Sequence, residues 1–176
     1  MVKGMKNKTK NITLTGLAAS LIAVLSVWQI PMPLGVPLTL QVFAVAFCAY
    51  TLGAGRAFFA TAVYIVLGAV GLPVFSGFQG GAAVLFGPCG GFIAGFLPLC
   101  LLCGAGRAKR AALALLFGAL GLLLCHAAGC GYYAFVTKTP LFESFLSASL
   151  PFIPKDAVLL SAAYFLSVPV KRRIGI

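Results

Sequence analysis

Few residues in this chain can do chemistry. The acids are Glu143 and Asp156, the one histidine is His126, and the cysteines are Cys48, Cys89, Cys100, Cys103, Cys125 and Cys130. Lys155 and Asp156 follow Pro154 at the head of the last apolar run. Proline suits the first helical turn, where its missing N–H has no intrahelical partner anyway, so both ionisable residues fall in that turn. An ionisable side chain at membrane depth is costly and is by default a candidate for function. The plainer reading is that Asp156 complements the helix N-terminus and Lys155 snorkels to the interface. Neighbours in sequence do not share a helical face, so a direct Lys–Asp pair is not implied.

Other chemistry is sparse. No G-x-x-x-x-G-K-[ST] run is present, and Gly104-Ala105-Gly106 with Lys109 has the wrong spacing for one, so the chain by itself does not couple ATP hydrolysis to anything. Two acids and one histidine, without a paired nucleophile and base, do not assemble the usual acid–base sites, and no enzyme activity is expected. Cys100-x-x-Cys103 and Cys125-His126 raise the question of a metal, but zinc sites show two ligand pairs and a polar second shell. In apolar segments these cysteines read as small, soft packing residues, and His126 as a packed, hydrogen-bonded histidine. No metal or cofactor is expected.

The remaining polar side chains, Gln29, Thr39, Gln41, Ser76 and Gln79, border the same loops as Lys155 and Asp156. Beside them run two glycine-rich stretches, 75–81 with Phe75, Phe78, Gln79, Gly80 and Gly81, and 87–92 with Gly90, Gly91 and Phe92. Irregular backbone next to membrane helices is tolerated where it lines a cavity or is buried by protein. Phenylalanine walls and backbone N–H donors around a few placed polar groups suit a small amphipathic solute.

The elements that must position these residues are membrane helices. The 176 residues are 61% apolar and 9% charged, against roughly a quarter charged in a soluble domain. Six apolar blocks, 12–30, 38–53, 57–72, 87–104, 111–136 and 151–170, lie between breakers, the second and third of them short. The first is too long for a signal-peptide core and ends in Trp28-Gln29-Ile30-Pro31 rather than a small-residue cleavage site. The expected fold is an all-α integral membrane bundle of six transmembrane helices over 12–170, with a basic cytoplasmic segment at 1–11 and a basic tail at 171–176. With both ends inside, the inner segments hold Lys3, Lys6, Lys8, Lys10, Arg56, Arg107, Lys109, Arg110, Lys171, Arg172 and Arg173, eleven of the thirteen basic residues. Lys138, Lys155 and both acids fall outside. Basic residues at chain ends and short loops speak for membrane orientation and contact with lipid, not for nucleic acid. Trp28, Tyr132 and Tyr133 suit aromatic-belt positions. Ala19 and Ala23, with Gly16 and Ser20 offset by a turn, make small-residue pairs for close helix approach, and Gly87, Gly91 and Gly95 do the same on the fourth apolar block.

At these residues the chain resembles a known family. The runs 31–41 (Pro31 to Gln41), 68–75 (Gly68 to Phe75), 86–92 (Phe86 to Phe92) and 150–156 (Leu150 to Asp156) are similar, in order, to those of the BioY family. Members of that family are biotin-specific S components of energy-coupling factor (ECF) vitamin transporters. Ala19 to Ala23 resembles the A-x-x-x-A of S components. The resemblance implies a six-helix bundle in a bacterial-type cell membrane that binds biotin from outside under the first loop. It implies partners as well, a transmembrane coupling subunit and two ATPases, with Ala19 and Ala23 facing the coupling subunit. By donor and acceptor inventory the ligand-binding residues are then Gln41, Phe75, Gln79, Gly80, Gly81, Gly90, Gly91, Phe92, Lys155 and Asp156. The chain departs from the family's usual pattern at Cys89, where threonine is common, and at Leu159, where a lysine often stands. Alternatives are an S component for thiamine or riboflavin, a small membrane-embedded enzyme, or a structural subunit.

Overall fold

The computed structural model describes residues 2–32 and 36–174, with side chains from residue 8 onward. Pro33, Leu34 and Gly35 of the first loop motif, the side chains of Lys3 and Lys6, and Gly175-Ile176 lie outside the described residues.

The chain begins with helix α1, Val2–Val27, so the basic N-terminal stretch is continuous with the first apolar block. A short antiparallel ribbon follows, β1 Gln29–Ile30 paired with β2 Leu38–Thr39 in the register Gln29 with Thr39 and Ile30 with Leu38. This ribbon takes the first residues of the block expected to be helical from 38, and helix α2 starts only at Gln41 (Gln41–Leu52). At Gly53, φ +87°, the chain turns straight into α3, Ala54–Ala69.

After α3 the glycine-rich stretch forms a compact turn. Phe75 N–H donates to Gln79 O at 2.9 Å and Gly81 N–H to Gly68 O at 2.7 Å. Helix α4, Ala82–Leu85, then leads into α5, Gly90–Gly106, and α6, Ala111–Thr137. Helix α6 ends at Lys138 in the left-handed conformation. Between the fifth and sixth apolar blocks lies an element the periodicity did not suggest, the amphipathic helix α7, Leu141–Ala148, with Glu143 in its first turn. Helix α8, Ile153–Ile174, carries Asp156 in its first turn and Lys171, Arg172 and Arg173 in its last, each complementing the helix dipole.

Three helical stretches, Lys8–Val27, Ala111–Thr137 and Ile153–Ile174, are long and apolar enough to cross a membrane. Helices α2, α3 and α5 are apolar but shorter. The bundle is arranged for lipid. Large apolar side chains such as Leu17, Phe59, Val66, Leu123, Phe135 and Phe165 face outward, while Ser26, Thr51, Thr61, His126 and Asp156 are buried. The core is built on Tyr50 and Tyr64, with Ile22, Val45, Leu99, Cys100 and Cys103. Tyr50 donates to Ala114 O at 3.0 Å and meets Tyr164 edge-on with centroids 5.2 Å apart.

Glycines let α5 and α6 touch. A Cβ on Gly91 would strike Tyr132, and one on Gly95 would stand 2.9 Å from Cys125 Cα and Sγ. Helix α1 packs through Ala18, Ala19, Ile22 and Ser26. Ala19 is therefore only 3% exposed and Ala23 is half-buried, because they face the bundle core. The small residues that α1 turns outward are Gly16 and Ser20.

Candidate functional site

The loops and helix ends gather around a cavity of about 250 Å³. Its cover is the first loop, through Pro31, Met32, Val36 and Pro37 between the ribbon strands, with Gln29 on β1 and Thr39 on β2. Its walls are the start of α2 (Gln41, Val42), the turn after α3 (Ser76, Gln79), Cys89 and the first turns of α5 (Phe92, Ile93, Phe96), and Cys125 and His126 on α6. Phe152, Lys155 and Asp156 close it from the α7–α8 corner.

Asp156 is the electrostatic centre. It is 4% exposed, and Lys155 Nζ lies 2.7 Å from its Oδ1 while His126 Nε2 lies 3.4 Å from its Oδ2. Adjacent helical residues point apart, but the lysine stem is long enough to fold back, so the pair that sequence spacing did not imply is formed. The Lys155 contact lies off the directions of a hydrogen bond, and Oδ1 has no directed donor. The atom is buried, so its acceptor capacity is not met by a directed protein donor. The ammonium is held in place by donation to Thr39 O at 3.0 Å and by the Phe152 ring, 5.8 Å below it.

A second polar group is fixed by its partners. Gln41 Nε2 donates to the Tyr64 hydroxyl at 3.0 Å, and Gln41 Oε1 accepts from the Thr39 hydroxyl at 3.1 Å. These bonds set the amide's orientation and use one of its two N–H groups and one of its two lone pairs. Opposite, the Phe92 ring meets His126 edge-on, centroids 6.0 Å apart, and lies against Gly129, where a Cβ would strike it.

Five of the ten residues expected to bind a ligand line the cavity: Gln41, Gln79, Phe92, Lys155 and Asp156. Phe75 does not. It is 1% exposed, packs edge-on against Tyr64 and occupies the space above Gly68. The four glycines shape the wall from behind. A Cβ on Gly80 would strike the carbonyls of Leu72 and Gly71, and one on Gly90 that of Leu85. Gly81 has φ +97°, and a Cβ on Gly91 would strike Tyr132 and Ala128 O. The N–H groups of Gly81 and Gly90 are spent on Gly68 O and Gly87 O, so they are not free donors for a ligand as expected.

His126 is the residue that sequence reasoning left out of the site. Its signal was present, since an ionisable residue inside a membrane helix is a functional candidate. What was missing was its partner across the bundle. Cys100 donates to Leu97 O and His126 faces Asp156 and Ser149. Among the described residues no three His, Cys, Asp or Glu side chains gather as metal ligands.

Fold and site together define a membrane-embedded helical bundle that encloses a small-solute cavity at one end. The chain belongs to the BioY family, whose model matches residues 1–175. It is 36% identical over 161 residues to the probable biotin transporter BioY of Pyrococcus horikoshii, covering 91% of this chain and 95% of that one. It is 37% identical over 163 residues to the biotin transporter BioY of Thermotoga maritima, covering 89% and 93%. The structure is similar, with a TM-score of 0.86 and 25% identity over 95% of this chain and 93% of the other, to the crystal structure of the S-component for biotin from an ECF-type ABC transporter.

Proposed function

We propose that this chain is the biotin-capturing S component of an ECF-type transporter, a transporter subunit and not an enzyme. The observation that carries the reading is the cavity between Gln41 and Asp156, in a chain whose relatives are named biotin transporters. Biotin offers ureido N–H donors and a C=O acceptor, a thioether, an apolar chain and a carboxylate. Asp156 Oδ1 accepts a ureido N–H, the free N–H of Gln41 donates to the ureido oxygen, and Lys155 attracts the carboxylate. Phe92, Phe96, Cys89 and Cys125 supply soft apolar walls for the rings and chain.

In this reading six helices cross the cell membrane with both ends in the cytoplasm, the short α2, α3 and α5 completing their crossings through the loops that frame the cavity. The support is the separation of charge, with Arg56, Arg107, Lys109, Arg110 and Lys171 to Arg173 at one end and both acids at the other. The inner end meets lipid headgroups, a transmembrane coupling subunit and two ATPases. On α1 the coupling subunit has Gly16 and Ser20 to approach, since Ala19 and Ala23 are taken up by the bundle.

Calorimetric titration of the detergent-purified chain tests the reading. Biotin is expected to bind one to one, while thiamine and riboflavin produce no heat. Hydrogen bonds to charged groups contribute about 1.5–3 kcal/mol, so Asp156→Ala should weaken biotin binding by roughly ten- to a hundredfold. Unchanged affinity in that variant overturns the assignment of Asp156.

A further inference from the structure

The cavity wall carries one carboxylate, one ammonium and one imidazole: Asp156, Lys155 and His126. Lys155 and Asp156 neutralise each other at 2.7 Å. A ligand that ends in a carboxylate disturbs this balance, because it competes with Asp156 for the single ammonium on the wall. Asp156, 4% exposed, is then left without a full counter-charge, and a buried charge without a partner drives a change of protonation.

Protonating Asp156 itself would turn one of its oxygens into a donor and make it a weaker, neutral acceptor. His126 is placed to take the proton instead. Imidazole is the side chain best suited to gain and lose a proton under neutral conditions. His126 is 7% exposed, with Nε2 facing Asp156 Oδ2 at 3.4 Å and Nδ1 facing Ser149 Oγ at 3.3 Å. Both ring nitrogens therefore have an oxygen that accepts, which is what a doubly protonated ring requires. The titratable groups sharing the wall are Asp156 and Lys155 from α8, Cys125 from its own helix and Cys89 at the head of α5. Of these only Lys155 is a cation, and the ligand carboxylate screens it.

We propose that His126 takes up a proton when a carboxylate-bearing ligand enters the cavity, and so replaces Lys155 as the counter-charge of Asp156. The proposal rests on the biotin reading above and assigns His126 a charge-compensating role in it.

The test is calorimetry on the whole chain in detergent, in buffers of low and high ionisation enthalpy at neutral pH and again at higher pH. Biotin binding should show uptake of up to about one proton, and biotin affinity should fall as pH rises, by up to about tenfold per pH unit where that uptake is complete. The neutral amide of biotin should bind with no proton exchange and no pH dependence. His126→Gln should bind biotin more weakly, without proton uptake, at an unchanged melting temperature. If that variant does not fold, the comparison of biotin with its amide on the unmodified chain decides alone. Biotin heat that is independent of the buffer overturns this proposal and leaves the biotin reading standing, as does equal proton uptake with the amide. Absence of biotin heat in every buffer overturns both.

Discussion

At the scale of residues, two phenylalanines with similar sequence surroundings have opposite roles. Phe75 fills the space above Gly68 and supports Tyr64, which in turn holds Gln41. Phe92 lies on the cavity wall against His126. Phe→Ala in a packed core costs about 3–5 kcal/mol, so Phe75→Ala should lower the melting temperature in detergent more than Phe92→Ala does. Phe92→Ala should produce the larger loss of biotin affinity by calorimetry. Equal losses in both readouts for both variants would remove the distinction. The glycine-rich motif signalled that this region is special without saying whether its aromatic rings face the solute or the core.

At the scale of elements, the site depends on how closely α5 and α6 approach. Phe92 and Ile93 project from one helix and Cys125 and His126 from the other, and Gly91, Gly95 and Gly129 remove the Cβ atoms that would separate them. Gly95→Ala places a methyl against Cys125 and should destabilise the bundle by about 1–3 kcal/mol, the usual cost of overpacking, with weaker biotin binding. Gly16→Ala is the control. Nothing lies within 4 Å of a Cβ there, so ligand affinity of the isolated chain should be unchanged and its thermal stability not lowered, alanine being the better helix former. The spacing of Gly87, Gly91 and Gly95 was legible as a packing stripe. Its partner, α6, was not, because small-residue spacing does not name the helix it receives.

At the scale of the whole molecule, the bundle is polarised. Its basic end is tied together by Arg107, which donates to Leu52 O at 3.1 Å, and by Lys171, which donates to Arg107 O at 3.2 Å. Burial, and then the nearby Arg56, hold the Arg107 guanidinium below the ordinary arginine range. Cations crowded at one end and the acids at the other fit a fixed orientation in the membrane. On intact cells an impermeant maleimide should label Met32→Cys, in the cover of the cavity, and reach Arg110→Cys only after permeabilisation. The reverse pattern would invert the proposed topology.

The sequence by itself determined a helical membrane protein, the ends of its main helices to within about four residues except the start of the first, which lies ten residues earlier at Val2, and the family. Long apolar blocks, their breakers and the few ionisable residues are local properties, legible without a fold. It also marked Asp156, because a carboxylate beside an apolar run is costly enough to need a reason. Only the tertiary structure decided what surrounds that carboxylate. Lys155 folds back onto it, His126 reaches it from a helix thirty residues earlier in the chain, and Phe75 and the glycines stand behind the wall. Such contacts depend on how helices rotate and approach one another, which apolar periodicity leaves open when every face of a helix is hydrophobic.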